Sequence, residues 1–236
     1  SPPSGIGPRA EGEPLWPARH NNSTLKEKRR LDPHRFESMY QGRPSPMEGL
    51  LYGDNFRTYS GEPAGIRRKG NYTDTADMGD DYLCSVCYAV DGDGIIYITD
   101  VVYSRERMEH TEGEVVRMLA DNPGCEVLVE SNNGGRGFAR AISRLLPNQP
   151  VRWFHQGANK EARILTNAST VLHNIRMPSD WRGRWPDFAL HLTLYQRKFR
   201  ANRWHDAADV LTGIVEREVT EAINKKIKAL YFPKRI

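Results

Sequence analysis

The sequence predicts an α/β fold whose mixed sheet opens with three antiparallel strands and is flanked by helices. Two β-branched and aromatic runs, residues 82–90 (YLCSVCYAV) and 95–103 (IIYITDVVY), flank the hairpin-turn sequence Asp91-Gly92-Asp93-Gly94. A shorter run at 70–76 (GNYTDTA) supplies a third strand ahead of them. From Thr111 onward, apolar residues at helical spacing alternate with short strand-like runs, and such alternation requires parallel members in the sheet. A chain of 236 residues, 38% hydrophobic with five Trp and ten Tyr, can bury one sizeable core.

Taken in order, residues 1–13 (SPPSGIGPRAEGE) have no periodicity and read as a mobile end or a connection. Trp16-Pro17, a helix over 32–41 with Phe36, Met39 and Tyr40 on one side, and the extended chain enforced by Pro44 and Pro46 make residues 15–52 a packed arm, and residues 1–52 as a whole an arm or linker ahead of the domain. The domain proper is expected over 53–236. After the meander, Thr111-Glu112-Gly113-Glu114 has capping-box spacing, with Val115, Met118 and Leu119 behind it and Asn122-Pro123-Gly124 as the stop. A strand over 126–130 (EVLVE) leads through a turn at 132–135 into a helix carrying Phe138, Ile142, Leu145 and Leu146. A strand at 151–154, a helix over 159–167 and a further strand at 171–177 follow. A helix marked by Phe188, Leu192, Tyr195 and Phe199 precedes a long final helix from Asp206 to about residue 230. That order fits a ribonuclease H-like sheet.

Net charge is only +4, but basic residues cluster at 26–30 (KEKRR), 197–203 (RKFRANR) and near the C-terminus, as a polyanion-binding surface or a solvated face would have them. Three cysteines do not suggest a disulfide framework, and no signal peptide or membrane-spanning run is visible, which points to a reducing compartment and no membrane. Cys84 and Cys87 form a C-x-x-C, but in a strand residues three apart face opposite ways and no second pair exists to complete a zinc site, so both read as core cysteines.

Hydrolysis of a phosphodiester needs an activated water and a counter-charge for the oxygens that become more negative; two Mg2+ or Mn2+ ions about 4 Å apart supply both and prefer carboxylate oxygen. Three acids stand where strand ends and a helix start could converge: Asp74 in the first strand, Glu130 closing VLVE, and Asp206 opening the last helix. Each has a plain alternative, since Asp74 could merely end a strand, Glu130 could be a surface residue, and Asp206 could be an N-cap.

Several motifs resemble one family in the same order. Residues 72–76 (YTDTA) with 79–82 (GDDY) resemble the opening strand of the nuclease part of viral DNA-packaging terminase large subunits. Residues 127–135 (VLVESNNGG) resemble that family's second acidic strand, 159–163 (NKEAR) its following Lys-x-x-Arg helix, and 205–209 (HDAAD) its closing motif. Pro14 to Arg19 and Phe36 to Pro44 resemble the segment joining the packaging ATPase to the nuclease. The likeness implies a ribonuclease H-like endonuclease that cuts double-stranded viral concatemers by two-metal hydrolysis. In that reading Asp74 bridges the ions, Glu130 and Asp206 each complete one site, and Asp81 is an auxiliary ligand. Lys160 and Arg163, which four residues of helix place on one side, could meet DNA or form a helix-surface salt bridge, and Asn133 is a further DNA-binding candidate. Asp81 and the weaker candidates Asp77 and Asp80 could instead belong to a solvated turn.

The closing motif departs from the family, which often has two adjacent Asp; here His205 replaces the first, and Asp209 falls one helical turn along as a support. No G-x-x-x-x-G-K-[ST] loop occurs, so the ATPase is expected elsewhere on the polypeptide, with the terminase small subunit and portal as further partners and the host cytoplasm as location. Rival readings are a Holliday-junction resolvase or transposase-like nuclease of the same fold, and a non-catalytic DNA-binding or docking module.

Overall fold

The computed structural model describes residues 49–75, 81–132 and 134–220. The arm helix at 32–41, Asn133, Asp77, Asp80 and the final helix beyond 220 lie outside them. The strands are β1 (Arg57–Tyr59), β2 (Ile66–Asp74), β3 (Leu83–Asp91), β4 (Ile96–Ser104), β5 (Cys125–Glu130), β6 (Val151–Phe154) and β7 (Ile175–Pro178). Interleaved with them are helices α1 (Met108–Asp121), α2 (Gly135–Leu145), α3 (Lys160–Asn174), α4 (Trp181–Arg184), α5 (Pro186–Thr193) and α6 (Asp206–Val215).

The strand order is β1-β7-β4-β3-β2-β5-β6, with β2, β3 and β4 antiparallel and β5 and β6 joined to β2 in parallel. The predicted antiparallel start and parallel continuation are therefore the observed sheet. β3 lies at its centre and is buried on both faces, as its unbroken run LCSVCYAV requires. Its alternate side chains feed two cores. Cys84, Val86, Tyr88 and Val90 pack with α3, α5 and α6, while Leu83 and Cys87 pack with α1 and α2. Cys84 and Cys87 thus face opposite ways, and all three cysteines are buried and free.

Four boundaries differ from the sequence reading. α1 begins at Met108, three residues before the supposed cap, and the Thr111 hydroxyl instead bonds back to the Met108 carbonyl inside the helix. α3 runs through the expected strand to Asn174, because Ile164, Ala168 and Val171 hold helical spacing against the core. α5 stops at Thr193 because the next residues pair with residues 49–51: Leu51 donates to the Tyr195 carbonyl and Arg197 to that of Gly49. The last helix changes to π geometry over Glu216–Thr220. Edge strand β1 was not anticipated.

Glycine matters most in α2 and α6. A Cβ at Gly135 would overlap the carbonyl oxygen of Glu130, and one at Gly213 would overlap the Tyr72 ring, so these two contacts set how closely α2 and α6 approach the strand ends. Gly137, near the start of α2, would meet nothing within 4 Å. Gly135→Ala should therefore destabilise the protein by about 1–3 kcal/mol through overpacking, whereas Gly137→Ala should be neutral or stabilise it by up to ~1 kcal/mol. Urea denaturation of both variants checks this; equal effects would contradict the packing described.

Candidate active site

β2 and β5 are parallel neighbours in the register Thr73 to Val129. Because side chains alternate along a strand, Tyr72 and Asp74 share one face with Leu128 and Glu130. Asp74 and Glu130 are the last residues of their strands and so sit side by side at the sheet's C-terminal edge. α6 crosses this face on Gly213, and its first turn brings a third acid over the pair. Carboxylate oxygens of Asp74, Glu130 and Asp209 all lie within 4.8 Å of one another. Asp206 lies at the rim: one oxygen is 3.9 Å from the Lys160 ammonium, and the other accepts from the Tyr82 backbone N–H at 3.3 Å.

Crowding three acids in a buried place requires compensation, and the neighbours supply it. The Lys160 Nζ reaches from the start of α3 to Asp209 at 2.9 Å, Asp74 at 3.5 Å and Asp206 at 3.9 Å. Arg163, one turn on, donates to Asp209 at 2.8 Å and holds Glu216 through its other nitrogens. The Tyr72 hydroxyl donates to Glu130 at 2.6 Å. Burial pushes the Asp74 carboxyl well above its usual range; Lys160 pulls it back, and Glu130, Asp209 and Asp206 push it up further. Glu130 is likewise raised by burial, against the Tyr72 hydrogen bond, and Asp206 by burial, against Lys160. Burial disfavours the Lys160 charge, but the surrounding carboxylates more than offset this and raise its pKa.

Asp74 and Glu130 come together as the strand ends suggested, while the places of Asp209, Asp206, Arg163 and Lys160 differ from those expected. Asp209, expected only as a support, is the acid that joins them, while Asp206 stands one helical turn outside. Arg163 was expected to meet DNA; it is 7% exposed and bound to Asp209 and Glu216, which puts it behind the acids and out of reach of a ligand. Lys160, the other cation expected to meet DNA, is turned into the acidic cluster. His205 is held by Tyr195 at 2.8 Å and stacks on Phe199, and is not among the converging ligands; Asp81 is exposed. Tyr72 was missed, although lying two residues before Asp74 it had to share that residue's face. Asp209 carried a signal too, since positions three apart on a helix share a side.

Three hard oxygen donors around one point, in a sheet of this topology, define a ribonuclease H-like fold with a carboxylate site. No family model matches the chain, and no curated protein sequence matches it either. Among solved structures, the P22 large terminase nuclease domain is similar at a TM-score of 0.50 and 12% identity, over 74% of this chain and 93% of that one. The large terminase of a thermophilic bacteriophage, in complex with ADP, is similar at a TM-score of 0.50 and 11% identity, over 84% of this chain and 52% of that one. This chain therefore spans about half the length of the thermophilic phage protein, and what it shares with both is the fold. No described helix is long and apolar enough to cross a membrane.

The raised acids set a pH dependence. A carboxyl whose folded pKa exceeds its unfolded one binds more protons in the native state, so stability is fullest below about pH 4 and falls as pH rises through the raised value. Without divalent ions, the contribution of these acids to the urea midpoint should decline as pH rises from about 4, so the parent's midpoint should fall, or rise less, with pH relative to that of an Asp74→Asn, Glu130→Gln variant. A variant whose midpoint follows pH as the parent's does contradicts the assignment.

Proposed function

We propose that this chain is a divalent-metal-dependent endonuclease that cuts double-stranded viral DNA concatemers during genome packaging, as the nuclease part of a terminase large subunit. The observation that carries the proposal is the convergence of Asp74, Glu130 and Asp209 within 4.8 Å at the ends of two parallel strands. The fold shared with the large terminases of P22 and the thermophilic phage supports it.

The donor set fits Mg2+ or Mn2+: all oxygen, anionic when deprotonated, and on three separate elements that fix its geometry. Asp74, Glu130 and Asp209 would hold the ions, with Asp206 at the rim as a fourth carboxylate available to a second ion. Bound there, such ions activate water and neutralise charge on the phosphate. The protein's own residues keep the site in order. Tyr72 fixes the rotamer of Glu130, Arg163 fixes Asp209 from behind, and Lys160 compensates the acids before a cation arrives. In this reading the packaging ATPase belongs to the same polypeptide, the small subunit and portal are partners, and the work takes place in the host cytoplasm.

Lys160 already supplies one positive charge, so a second reading treats the cluster as a structural ion network in a DNA-binding module. Supercoiled plasmid with Mn2+ separates the two. The nuclease reading expects nicking and linearisation, lost by on the order of a hundredfold or more in Asp74→Asn and Asp209→Asn, with a smaller loss in Asp206→Asn. Intact plasmid with the parent protein, or undiminished cutting by Asp74→Asn, overturns it.

A further inference from the structure

With Arg163 buried and Lys160 turned into the acids, neither of the two cations expected to meet DNA is placed to grip a phosphate backbone, so the cations that do so must lie on the rim. The rim has a built candidate. Between α5 and α6 the chain exposes Arg197, Lys198, Arg200 and Arg203 within seven residues and then leads directly into His205 and Asp206. This loop has a fixed shape. The Asn202 side chain accepts from the Gln196 N–H at 2.7 Å and donates to the carbonyls of Gln196 at 2.9 Å and Phe199 at 3.1 Å. Arg197 ties the loop to Gly49, and Phe199 stacks on His205 with ring centroids 3.8 Å apart.

A wall of rings stands beside the loop. Trp204 stacks on His191 at 4.4 Å, Tyr82 stacks on Tyr103 at 4.2 Å, and Tyr82 and Trp204 meet edge to face. Arg203 lies over the Trp204 ring at 4.6 Å and Arg105 over the Tyr82 ring at 5.7 Å, both on exposed side chains. A guanidinium laid on an aromatic face loses little further freedom when it binds, and its planar edge matches a phosphate. The wall also touches the acids directly, because the Tyr82 backbone N–H holds Asp206.

We infer that the 197–203 loop, together with the ring-backed Arg105 and Arg203, is the surface that grips the phosphate backbone of duplex DNA beside the acidic cluster. The inference rests on the nuclease reading for its substrate. Its chemistry is that of phosphate contact: exposed guanidinium and ammonium groups on a stiff loop, with no acceptor-and-donor pattern suited to reading bases. It explains how a cluster of acids can accept a polyanion at all, since the nearby positive rim offsets the repulsion.

Anisotropy of a labelled DNA duplex in EDTA, where no cutting occurs, tests the grip separately from catalysis. An Arg197→Ala, Lys198→Ala, Arg200→Ala variant and an Arg105→Ala, Arg203→Ala variant should each bind on the order of tenfold more weakly. Their log-affinity against log-salt slopes should shrink by about 0.9 for each phosphate that is no longer neutralised. Arg203→Lys keeps the charge but loses the planar edge stacked on Trp204, so its affinity should fall between those of the parent and the Arg105→Ala, Arg203→Ala variant while the salt slope is kept. Arg57→Ala with Arg67→Ala, at the opposite end of the sheet, should change affinity by less than about twofold. Loop and ring variants that melt like the parent yet keep its affinity and salt slope overturn the inference. If binding depends on the loop but Mn2+ produces no cutting, the nuclease reading alone fails; if cutting is robust and binding ignores the loop, this inference alone fails.

Discussion

Carboxylates repel one another, and at the spacing found between Asp74, Glu130 and Asp209, within 4.8 Å, two full charges would do so by about 3.5 kcal/mol or more per pair at an effective dielectric near 20. The cluster persists because its acids are not left to themselves. Lys160 contributes one ammonium to Asp74, Asp206 and Asp209, Arg163 covers Asp209 from behind, and Tyr72 satisfies Glu130. Burial also pushes the carboxyls of Asp74 and Glu130 above their usual range, against the pull of Lys160 and of the Tyr72 hydrogen bond. In the proposed reading, a divalent cation would take over the compensation that the Lys160 ammonium supplies here.

Several larger features among the described residues hold this cluster in place. The parallel pair β2 and β5 ends in two adjacent acids because strand alternation and register put them there. α6 can bring Asp209 above them only because Gly213 leaves room for Tyr72, and α2 can start beside Glu130 only because Gly135 has no side chain. α3 then delivers Lys160 and Arg163, one helical turn apart on one side, to the acids and to Glu216. The cation-rich loop before α6 and the stacked rings next to it complete the surround, with positive charge at the rim and negative charge at the centre.

Much of this was legible in the sequence, for definite physical reasons. β3 and β4 announced themselves because a buried central strand needs an unbroken apolar run and a hairpin needs turn residues between its strands. Asp74 and Glu130 stood out because they closed such strands. β1 gave no such sign: three residues, Arg57–Tyr59, two of them exposed, carry no alternation to read. The Thr111 capping box was a false start, since the same residue spacing occurs one turn inside a helix. Asp206 was favoured over Asp209 by its place at the helix start, whereas the packing of α6 on the sheet at Gly213, which no local pattern encodes, decides which of the two reaches the strand ends. Arg163 looked like a surface cation because its partners Asp209 and Glu216 lie about fifty residues away in the chain.

The most direct measurement is the anomalous diffraction of crystals soaked in MnCl2, recorded near the manganese edge. The expected result is a peak within about 2.3 Å of oxygens from Asp74, Glu130 and Asp209, with the Lys160 ammonium moved off Asp209 to make way. Density that leaves Lys160 seated among the acids, with manganese absent or bound elsewhere, would contradict a metal centre built on these three carboxylates.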